Sequence, residues 1–357
     1  MCIRDSNTTG ASNTAVGQNA LQSNTTGDNN TAVGRHALVL NTTGTRNIAV
    51  GTHALDANTT GNDNTAVGYD SLGVNTTGVN NTAIGKDVLE SNTEGSNNTA
   101  IGYQALQVVG DGDYNTAVGY QVFNKQTGTS GTVANTGVGY RAGYYNTTGV
   151  KNTYIGYHSG FGASGNANGS NTGVGYRSLF AVTTGGSNTA LGESAGSGIT
   201  TASGSVIIGM DTGNTITTGN QNIAIGHDAM SGGTVTGDRN IAIGISALDA
   251  VTSGNHNISV GFEAHTRLTT GIQNIAIGFN AHAQNTVTGN YNVAIGYFAL
   301  GDDDGGHNNV AIGYRAGRAQ MGVSGSVFIG ENAGRGVSTG QENIAIRKDA
   351  MGASTIT

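Results

Sequence analysis

The sequence predicts an all-β protein, a parallel β-solenoid of about 20 coils with 17 residues in most coils. The first observation is a motif, Asn-Thr-Ala-Val-Gly or a close variant, that starts at residues 13, 30, 47 and onward to 343. The second is that most steps between motifs are equal, while the longer steps carry their extra residues between motifs, as loops do. The third is composition, because 61 Gly, 47 Thr and 41 Asn occur without any Pro or Trp.

Composition also excludes several classes of protein. Collagen needs Pro and a Gly at every third residue, and neither is present. No apolar run approaches the roughly 20 residues of a membrane-spanning helix. The formal net charge of −7, with Lys and Arg scattered, provides no basic stripe for a nucleic acid. With Cys2 as the single cysteine, no disulfide framework is possible.

Each period divides into a strand and a turn. The fourth motif position is Val, Ile or Leu in all 20 coils, the third is usually Ala, and the fifth is Gly except at Arg347. Alternation along a strand places positions two and four on one face and position three on the other. We expect positions two and four to face the core and the Ala row to face outward as a seam for close packing. The remainder, typified by 41–44, has the Asn and Gly chemistry of turns.

A coil of this size cannot fold alone. Ordering it costs about 1–2 kcal/mol per residue, whereas three or four buried apolar side chains return roughly 5–10 kcal/mol. Stacking makes up the difference, because backbone amides then pair between coils and the core becomes continuous. The period also excludes helical repeats, which need about 33 residues, and propeller blades, which need about 40.

We expect one continuous repeat domain over residues 7–357, preceded by a leader, 1–6, that matches nothing in the repeat. The leader looks similar to adapter-derived sequence in metagenomic assemblies, which would make Cys2 non-native. Because the chain begins in the middle of a coil and shows no polar capping repeat, we expect it to be a fragment of a longer protein.

The motif Asn-(Thr/Ile/Val)-Ala-(Ile/Val)-Gly resembles the head repeats of trimeric autotransporter adhesins of the YadA type and the β-roll repeats of phage tail fibres. The match is close at 222–229 and 292–296, and the resemblance covers residues 7–351. It implies a left-handed β-roll, three copies side by side, and attachment outside a cell or virion. Family coils are nearer 14 residues, and the stalk, membrane anchor and fibre chaperone domain of these families are not present here.

Aromatic side chains recur at the sixth motif position and would stack along the solenoid. Arg141, Arg177 and Arg315 follow three of them. Exposed Tyr and Arg dominate recognition hot spots, so the row is a candidate binding stripe, centred on Tyr103, Tyr120, Tyr140, Tyr157 and Tyr176. The alternative is that stacked rings only join neighbouring coils or fill a seam between chains. The other members of the row are Tyr69, Phe262, Phe279, Tyr297 and Tyr314.

Three kinds of motif suggest catalysis or metal binding, but we expect each of them to form an ordinary turn. Gly192-Glu193-Ser194-Ala195-Gly196 matches the G-x-S-x-G pattern of hydrolases, which requires a following helix. His265 and His282 share one coil position and could begin a metal site, but we expect exposed turn histidines. The turn 111–115 has the D-x-D-x-N start of a calcium loop, without the glutamate that completes an EF-hand loop, and 302–304 is a second acidic turn. We expect both turns to be solvated.

These observations favour a non-enzymatic, extracellular structural and adhesive rod. The expected partners are two further copies of the chain, in a homotrimer, and a host cell-surface or matrix receptor. No cofactor, metal, nucleic acid or inserted membrane segment is expected. The alternative is an ice-binding solenoid that uses stacked turn threonines, 25–26, 42–43 and 59–60. We favour turn hydroxyls that cap backbone groups, because these pairs lie next to Gly in a turn.

Overall fold

The structure, a computed structural model, is a parallel β-solenoid of about 20 turns, which confirms the predicted fold class. It describes residues 7–127, 130–283, 286–303, 305–319, 322–337 and 340–351, so the leader, Cys2 and Asp304 lie outside the described residues. All named elements in the described ranges are strands. No helix there is long and apolar enough to cross a membrane.

Each coil contributes one three-residue strand, and two coils contribute an additional short one. The strands are β1 Thr14–Val16, β2 Thr31–Val33, β3 Ile48–Val50, β4 Thr65–Val67, β5 Thr82–Ile84, β6 Thr99–Ile101, β7 Gly112–Asp113, β8 Thr116–Val118, β9 Gly131–Thr132, β10 Thr136–Val138, β11 Thr153–Ile155, β12 Thr172–Val174, β13 Thr189–Leu191, β14 Val206–Ile208, β15 Ile223–Ile225, β16 Ile241–Ile243, β17 Ile258–Val260, β18 Ile275–Ile277, β19 Val293–Ile295, β20 Val310–Ile312, β21 Val327–Ile329 and β22 Ile344–Ile346. Every three-residue strand coincides with motif positions two to four, so the predicted repeat register is confirmed.

Contacts divide the chain into two units. The first ends at Arg177 and also contains Ala181–Thr184, while the second contains Ser178–Phe180 and resumes at Gly185. Within each unit, each motif strand pairs in parallel with the motif strand of the next coil, residue for equivalent residue. The short strands β7 and β9 pair separately in the first unit. Backbone hydrogen bonds between equivalent residues therefore hold each coil to its neighbours, as the stacking argument requires.

The face assignment made from the sequence is wrong. The position-three residues Ala32, Ala49 and Ala66 are fully buried, whereas Ile48 is 43% exposed and Val50 is 36% exposed. The core is narrow because the Ala row packs within it together with a Leu row from position nine, such as Leu38, which is also fully buried. Small side chains fit this space, so the larger Val and Ile point outward. The expected outward seam of Ala does not exist.

Bulky residues enter this core only where glycine makes room. A Cβ at Gly160 would lie 2.3 Å from the ring of Tyr154, and one at Gly143 would clash with the ring of Phe123. Both rings are fully buried, and the Tyr154 hydroxyl donates a hydrogen bond of 3.0 Å to Asn168 Oδ1. Burial raises the pKa of that hydroxyl well above its usual value. Each large ring thus occupies space that a side chain at the nearby glycine would otherwise fill, so the core stays closely packed.

Buried asparagines form two ladders inside the coils. At the strand entry, Asn30 Oδ1 accepts a bond of 3.0 Å from the Asn47 amide, and Asn30 Nδ2 donates 2.8 Å to the Gly44 carbonyl. In the turn, Asn41 Nδ2 donates 2.9 Å to Asn24 Oδ1. These side chains satisfy buried backbone and amide groups that would otherwise cost stability.

Residues with left-handed backbone dihedral angles lie at corners of the coil that the Asn and Gly pattern of the turns does not predict. Non-glycine residues with positive φ recur just before the strand and at positions seven and nine, for example Arg46 at 55°, His53 at 60° and Leu55 at 50°. Such conformations are uncommon for these residue types. Here they turn amides toward adjacent coils, as in the 3.0 Å bond from the His53 amide to the Arg35 carbonyl.

Candidate functional site

The outward side of the motif strands in the second unit carries a continuous apolar surface. In β14–β22, positions two and four are all Val or Ile, and we call these two rows the apolar face. Its position-four members remain substantially exposed, with Ile243 and Ile277 at 39% and Ile312 at 37%. Nine strands about 4.8 Å apart, with two rows about 6.6 Å apart, span an area of roughly 300 Å². A contiguous apolar patch of a few hundred Å² is as large as the largest patch on a typical monomer, and such patches often mark interaction sites.

The corresponding side of the first unit is less apolar. Thr occupies position two in nine of its motif strands, with Ile48 as the exception, while position four stays Val or Ile. The change from Thr to Ile and Val along the chain therefore makes the surface more apolar, not the core.

The five tyrosines proposed from the sequence form a continuous ladder in the first unit, which we call the tyrosine stack. Adjacent ring centroids lie 5.1–5.3 Å apart, and interplanar angles are 6–19°. Each side chain is 37–46% exposed. The members are Tyr103, Tyr120, Tyr140, Tyr157 and Tyr176. The predicted stacking is thus present, although its use as a binding surface stays a prediction.

Cationic and aromatic groups surround the middle of the tyrosine stack. The Arg141 guanidinium lies 5.3 Å from the ring centre of Tyr140 and 5.1 Å from that of Tyr144. The imidazole of His158 packs 4.1 Å from Tyr157. Burial lowers the pKa of His158, and the positive charge of Arg141 lowers it further. The imidazole is therefore neutral at pH 7, which suits its packing among aromatic rings.

The geometry of the tyrosine stack restricts what it can bind. Rings that stack face to face cover each other's π surfaces, so the flat platforms on which sugars or bases would lie are unavailable inside the ladder. What remains exposed is a row of ring edges and phenolic groups at a spacing close to the coil repeat. Such a row offers regularly spaced hydrogen bonds, and it also joins successive coils through aromatic contact.

A second ladder of the same kind lies in the second unit. Phe262, Phe279, Tyr297 and Tyr314 stack with centroid distances of 5.1, 5.3 and 5.2 Å. The Arg315 guanidinium lies 4.9 Å from the ring centre of Tyr314. Tyr69 is not part of either ladder. Its ring contacts His53 at 6.4 Å and Lys86 Nζ at 5.7 Å instead.

The expectation of exposed turn histidines is wrong, because His265 and His282 are fully buried. They occupy position nine, where nine of the 20 coils carry Leu, and they belong to a buried polar chain with Ser259 and Asp303. Ser259 Oγ lies 2.7 Å from His265 Nδ1, and His265 Nε2 lies 3.2 Å from His282 Nδ1. His282 Nε2 faces Asp303 Oδ2 at 3.7 Å, and Asp303 is also fully buried, which corrects the solvated turn expected there.

The buried polar chain should make the second unit acid-sensitive. Burial lowers the pKa of His265 well below 6.5, and the charge on His282 lowers it further. The unfolded chain therefore binds more protons than the folded chain below pH 6.5, and stability falls as pH falls through that range. Stability attributable to His265 is complete above about pH 6.5 and declines by up to about 1.4 kcal/mol per pH unit below it.

Urea unfolding at pH 7.5, 6.5 and 5.5 measures this effect. The control is a variant in which all four residues of the buried polar chain are replaced by residues that other coils carry at the same positions. Its substitutions are Ser259→Ala, His265→Leu, His282→Leu and Asp303→Asn. We expect the control to lose less stability between pH 6.5 and 5.5 than the natural protein. Parallel curves for the two proteins would contradict the prediction.

The other motifs resolve into turns with structural hydrogen bonds. Ser194 follows β13 in a turn with φ of 54°, without the helix of a nucleophile elbow after it. Asp111 Oδ1 accepts bonds from the Glu94 amide at 3.0 Å and from the Thr93 hydroxyl, and Asp113 Oδ1 accepts from the Ser96 amide at 2.7 Å. These carboxylates therefore cap the neighbouring coil.

The turn threonines act as backbone caps, as the preferred interpretation predicts. Thr25 Oγ1 donates to the Thr42 carbonyl at 2.9 Å, Thr42 Oγ1 to the Thr59 carbonyl at 3.0 Å, and Thr59 Oγ1 to the Thr76 carbonyl at 3.1 Å. The first hydroxyl of each pair is thus bonded within the solenoid.

Comparison with known proteins adds no family assignment. No protein-family model matches the chain, and no curated protein is significantly similar to it.

Proposed function

We propose that this chain is a non-enzymatic structural and adhesive segment, a head or shaft portion of a homotrimeric surface adhesin or phage tail fibre. The observation that carries the proposal is the apolar face, a continuous double row of Val and Ile side chains along nine strands, and patches of this kind often mark an interaction surface. The resemblance of the motif to adhesin head and tail-fibre repeats supports an extracellular site of action. The coils hold short strands and turns throughout the described ranges, an arrangement that suits a repetitive scaffold.

A threefold assembly accounts for the two rows of the apolar face. In a cyclic trimer each copy meets two neighbours through two different edges, so one row faces each neighbour. Position two of one copy would then lie against position four of the next along the length of the second unit. Fully burying an exposed Val or Ile side chain contributes about 1.5–3 kcal/mol, so side chains that are already partly buried, such as Ile243 at 39% exposed, would each contribute a fraction of that amount.

The binding role is assigned to the tyrosine stack, which lies in the other unit and carries Arg141 beside it. Tyr and Arg are the side chains most often found at recognition hot spots. The target is a protein or glycan of a host cell surface or matrix. Regularly spaced phenolic groups suit a partner with repeated hydrogen-bonding groups.

Light scattering on the purified protein tests the assembly. We expect a mass three times the chain mass of 35.8 kDa at micromolar concentration. A mass equal to one chain would overturn the homotrimer, and a mass of two chains would replace it with a dimer through the same face.

Binding of the fluorescently labelled protein to bacterial and animal cells tests adhesion separately. Tyr140→Ser with Tyr157→Ser should reduce binding without changing the mass in solution. Equal binding by this variant would remove the tyrosine stack from the proposed adhesive surface.

A further inference from the structure

A corner of the second unit brings an imidazole and two carboxylates together. Asp211 and Asp228 occupy position seven of successive coils, and His227 precedes Asp228 in the chain. One ligand atom from each of the three side chains lies within 4.8 Å of the others. His227 Nδ1 and Asp228 Oδ2 are 3.0 Å apart, with the two side chains 43% and 39% exposed.

The backbone fixes this arrangement. Both aspartates have left-handed φ angles, 52° at Asp211 and 54° at Asp228. Their amides are bonded to preceding coils, from Asp211 to the Glu193 carbonyl at 2.9 Å and from Asp228 to the Met210 carbonyl at 3.3 Å. Coil stacking therefore holds two carboxylates about 4.8 Å apart, where like charges repel.

The same corner of the first unit shows how the chain balances such a pair with its own side chain. Asp70 and Asp87 occupy position seven of successive coils, and Lys86 fills the place that His227 has in the second unit. Lys86 Nζ lies 3.5 Å from Asp87 Oδ2, so an ammonium group balances the carboxylates. Among the described residues, neither Asp211 nor Asp228 forms an ion pair with a lysine or an arginine.

An imidazole differs from an ammonium in that it can donate a lone pair to a metal. Two ligand atoms each about 2.1 Å from an ion are about 3.4 Å apart at the tetrahedral angle that Zn²⁺ prefers, so His227 Nδ1 and Asp228 Oδ2, now 3.0 Å apart, need to separate by only about 0.4 Å. A carboxylate oxygen of Asp211 lies within 4.8 Å of both of these ligand atoms, close enough for Asp211 to be the third ligand. One imidazole with two carboxylates suits Zn²⁺ and related divalent transition metals more than Ca²⁺ or Mg²⁺, which prefer oxygen ligands alone.

We propose that Asp211, His227 and Asp228 form a surface site for a divalent transition metal ion of the zinc class. The ion takes the place of the proton between the imidazole and Asp228. Its positive charge offsets the negative charges of the two stacked carboxylates, as the ammonium of Lys86 does in the first unit. The exposed side leaves coordination positions for water or for a group of a partner. This inference rests on the triad alone and is independent of the adhesive role.

Isothermal titration of the full chain with ZnCl₂ at pH 7.5, repeated with CaCl₂ and MgCl₂, tests the site. We expect Zn²⁺ to bind and the other two ions to bind at least about tenfold more weakly. Titration with Co²⁺ gives a second readout, a visible absorption band that reports ligand geometry. Binding of Ca²⁺ as tightly as Zn²⁺ would overturn the assigned metal class.

The matched variant is His227→Lys, which reproduces the Asp70, Lys86 and Asp87 arrangement that the chain already uses. It should fold with an unchanged circular dichroism spectrum and lose one Zn²⁺ per chain and the corresponding Co²⁺ absorption. The reciprocal change, Lys86→His, should add one ion per chain. Undiminished Zn²⁺ binding and Co²⁺ absorption in His227→Lys would assign the bound metal to other side chains and overturn the proposal.

Discussion

Replacing Ile243 and Ile277 together by Glu is expected to convert the assembly into single chains. Both residues lie at position four of the apolar face, each 39% exposed in the isolated chain. In one chain the new carboxylates face water and cost little. In a trimer they would be enclosed among Val and Ile side chains, where an unpaired charge costs several kcal/mol. The solution mass should therefore fall to that of one chain.

The matched control is Gln221→Glu with Gln273→Glu. These two positions precede their strands, are exposed, and receive the same change in charge without lying on the apolar face. We expect the control to retain the mass of the natural protein in light scattering, and both variants to keep the β circular dichroism signal. If the Ile243 and Ile277 variant also retains the natural mass, the apolar face is not the interface.

Gly68→Ala is expected to destabilise the first unit by several kcal/mol. Gly68 occupies position five with φ of +136°, and a Cβ there would lie 2.1 Å from the carbonyl oxygen of Gly85 in the next coil. That carbonyl belongs to the stacked backbone and cannot move without separating the coils. Strained backbone of this kind costs about 1–3 kcal/mol before the clash is counted. Urea unfolding followed by circular dichroism measures the loss.

Gly131→Ala separates the two contributions. Gly131 also has positive φ, +75°, but nothing lies within 4 Å of an added Cβ, so only the conformational cost of about 1 kcal/mol remains. Arg347 takes position five with φ of 127°, which shows that the dihedral angle does not by itself exclude a side chain. Equal losses of stability in the two variants would refute close coil contact as the reason for glycine.

The period, the strands and the solenoid could be predicted from the sequence because they depend on spacing alone. Which strand face is buried could not, because both faces carry apolar residues and alternation is symmetric between them. Residue size suggested Val50 over Ala49 for the core, whereas the narrow coil buries Ala49. A usable signal is the pairing of Tyr154 with Gly160, since a large ring opposite a glycine indicates confined space.

The buried histidines could have been recognised from their column. Position nine carries Leu in nine coils, as at Leu248 and Leu300, and Gly, Met or Phe in nine others, a choice of apolar or minimal side chains that is typical of a core position. Residue type alone predicts exposure for His265 and His282, whereas their column predicts burial. Asp303 lies among acidic neighbours, but it shares the column of the buried Asn41 in the first unit. In a repeat protein, the column of a residue predicts its burial better than its polarity does.

The asparagine ladders have a consequence for how such a protein evolves. Each rung joins a coil only to the coils beside it, and the rungs at Asn41, Asn58 and Asn75 are interchangeable in geometry. If one whole period is removed or duplicated inside such a run, the asparagines on either side of the change still form the same hydrogen bonds with their new neighbours. Unequal recombination between repeats can therefore lengthen or shorten the gene in steps of one coil, so that length varies among descendants while every local contact is inherited unchanged.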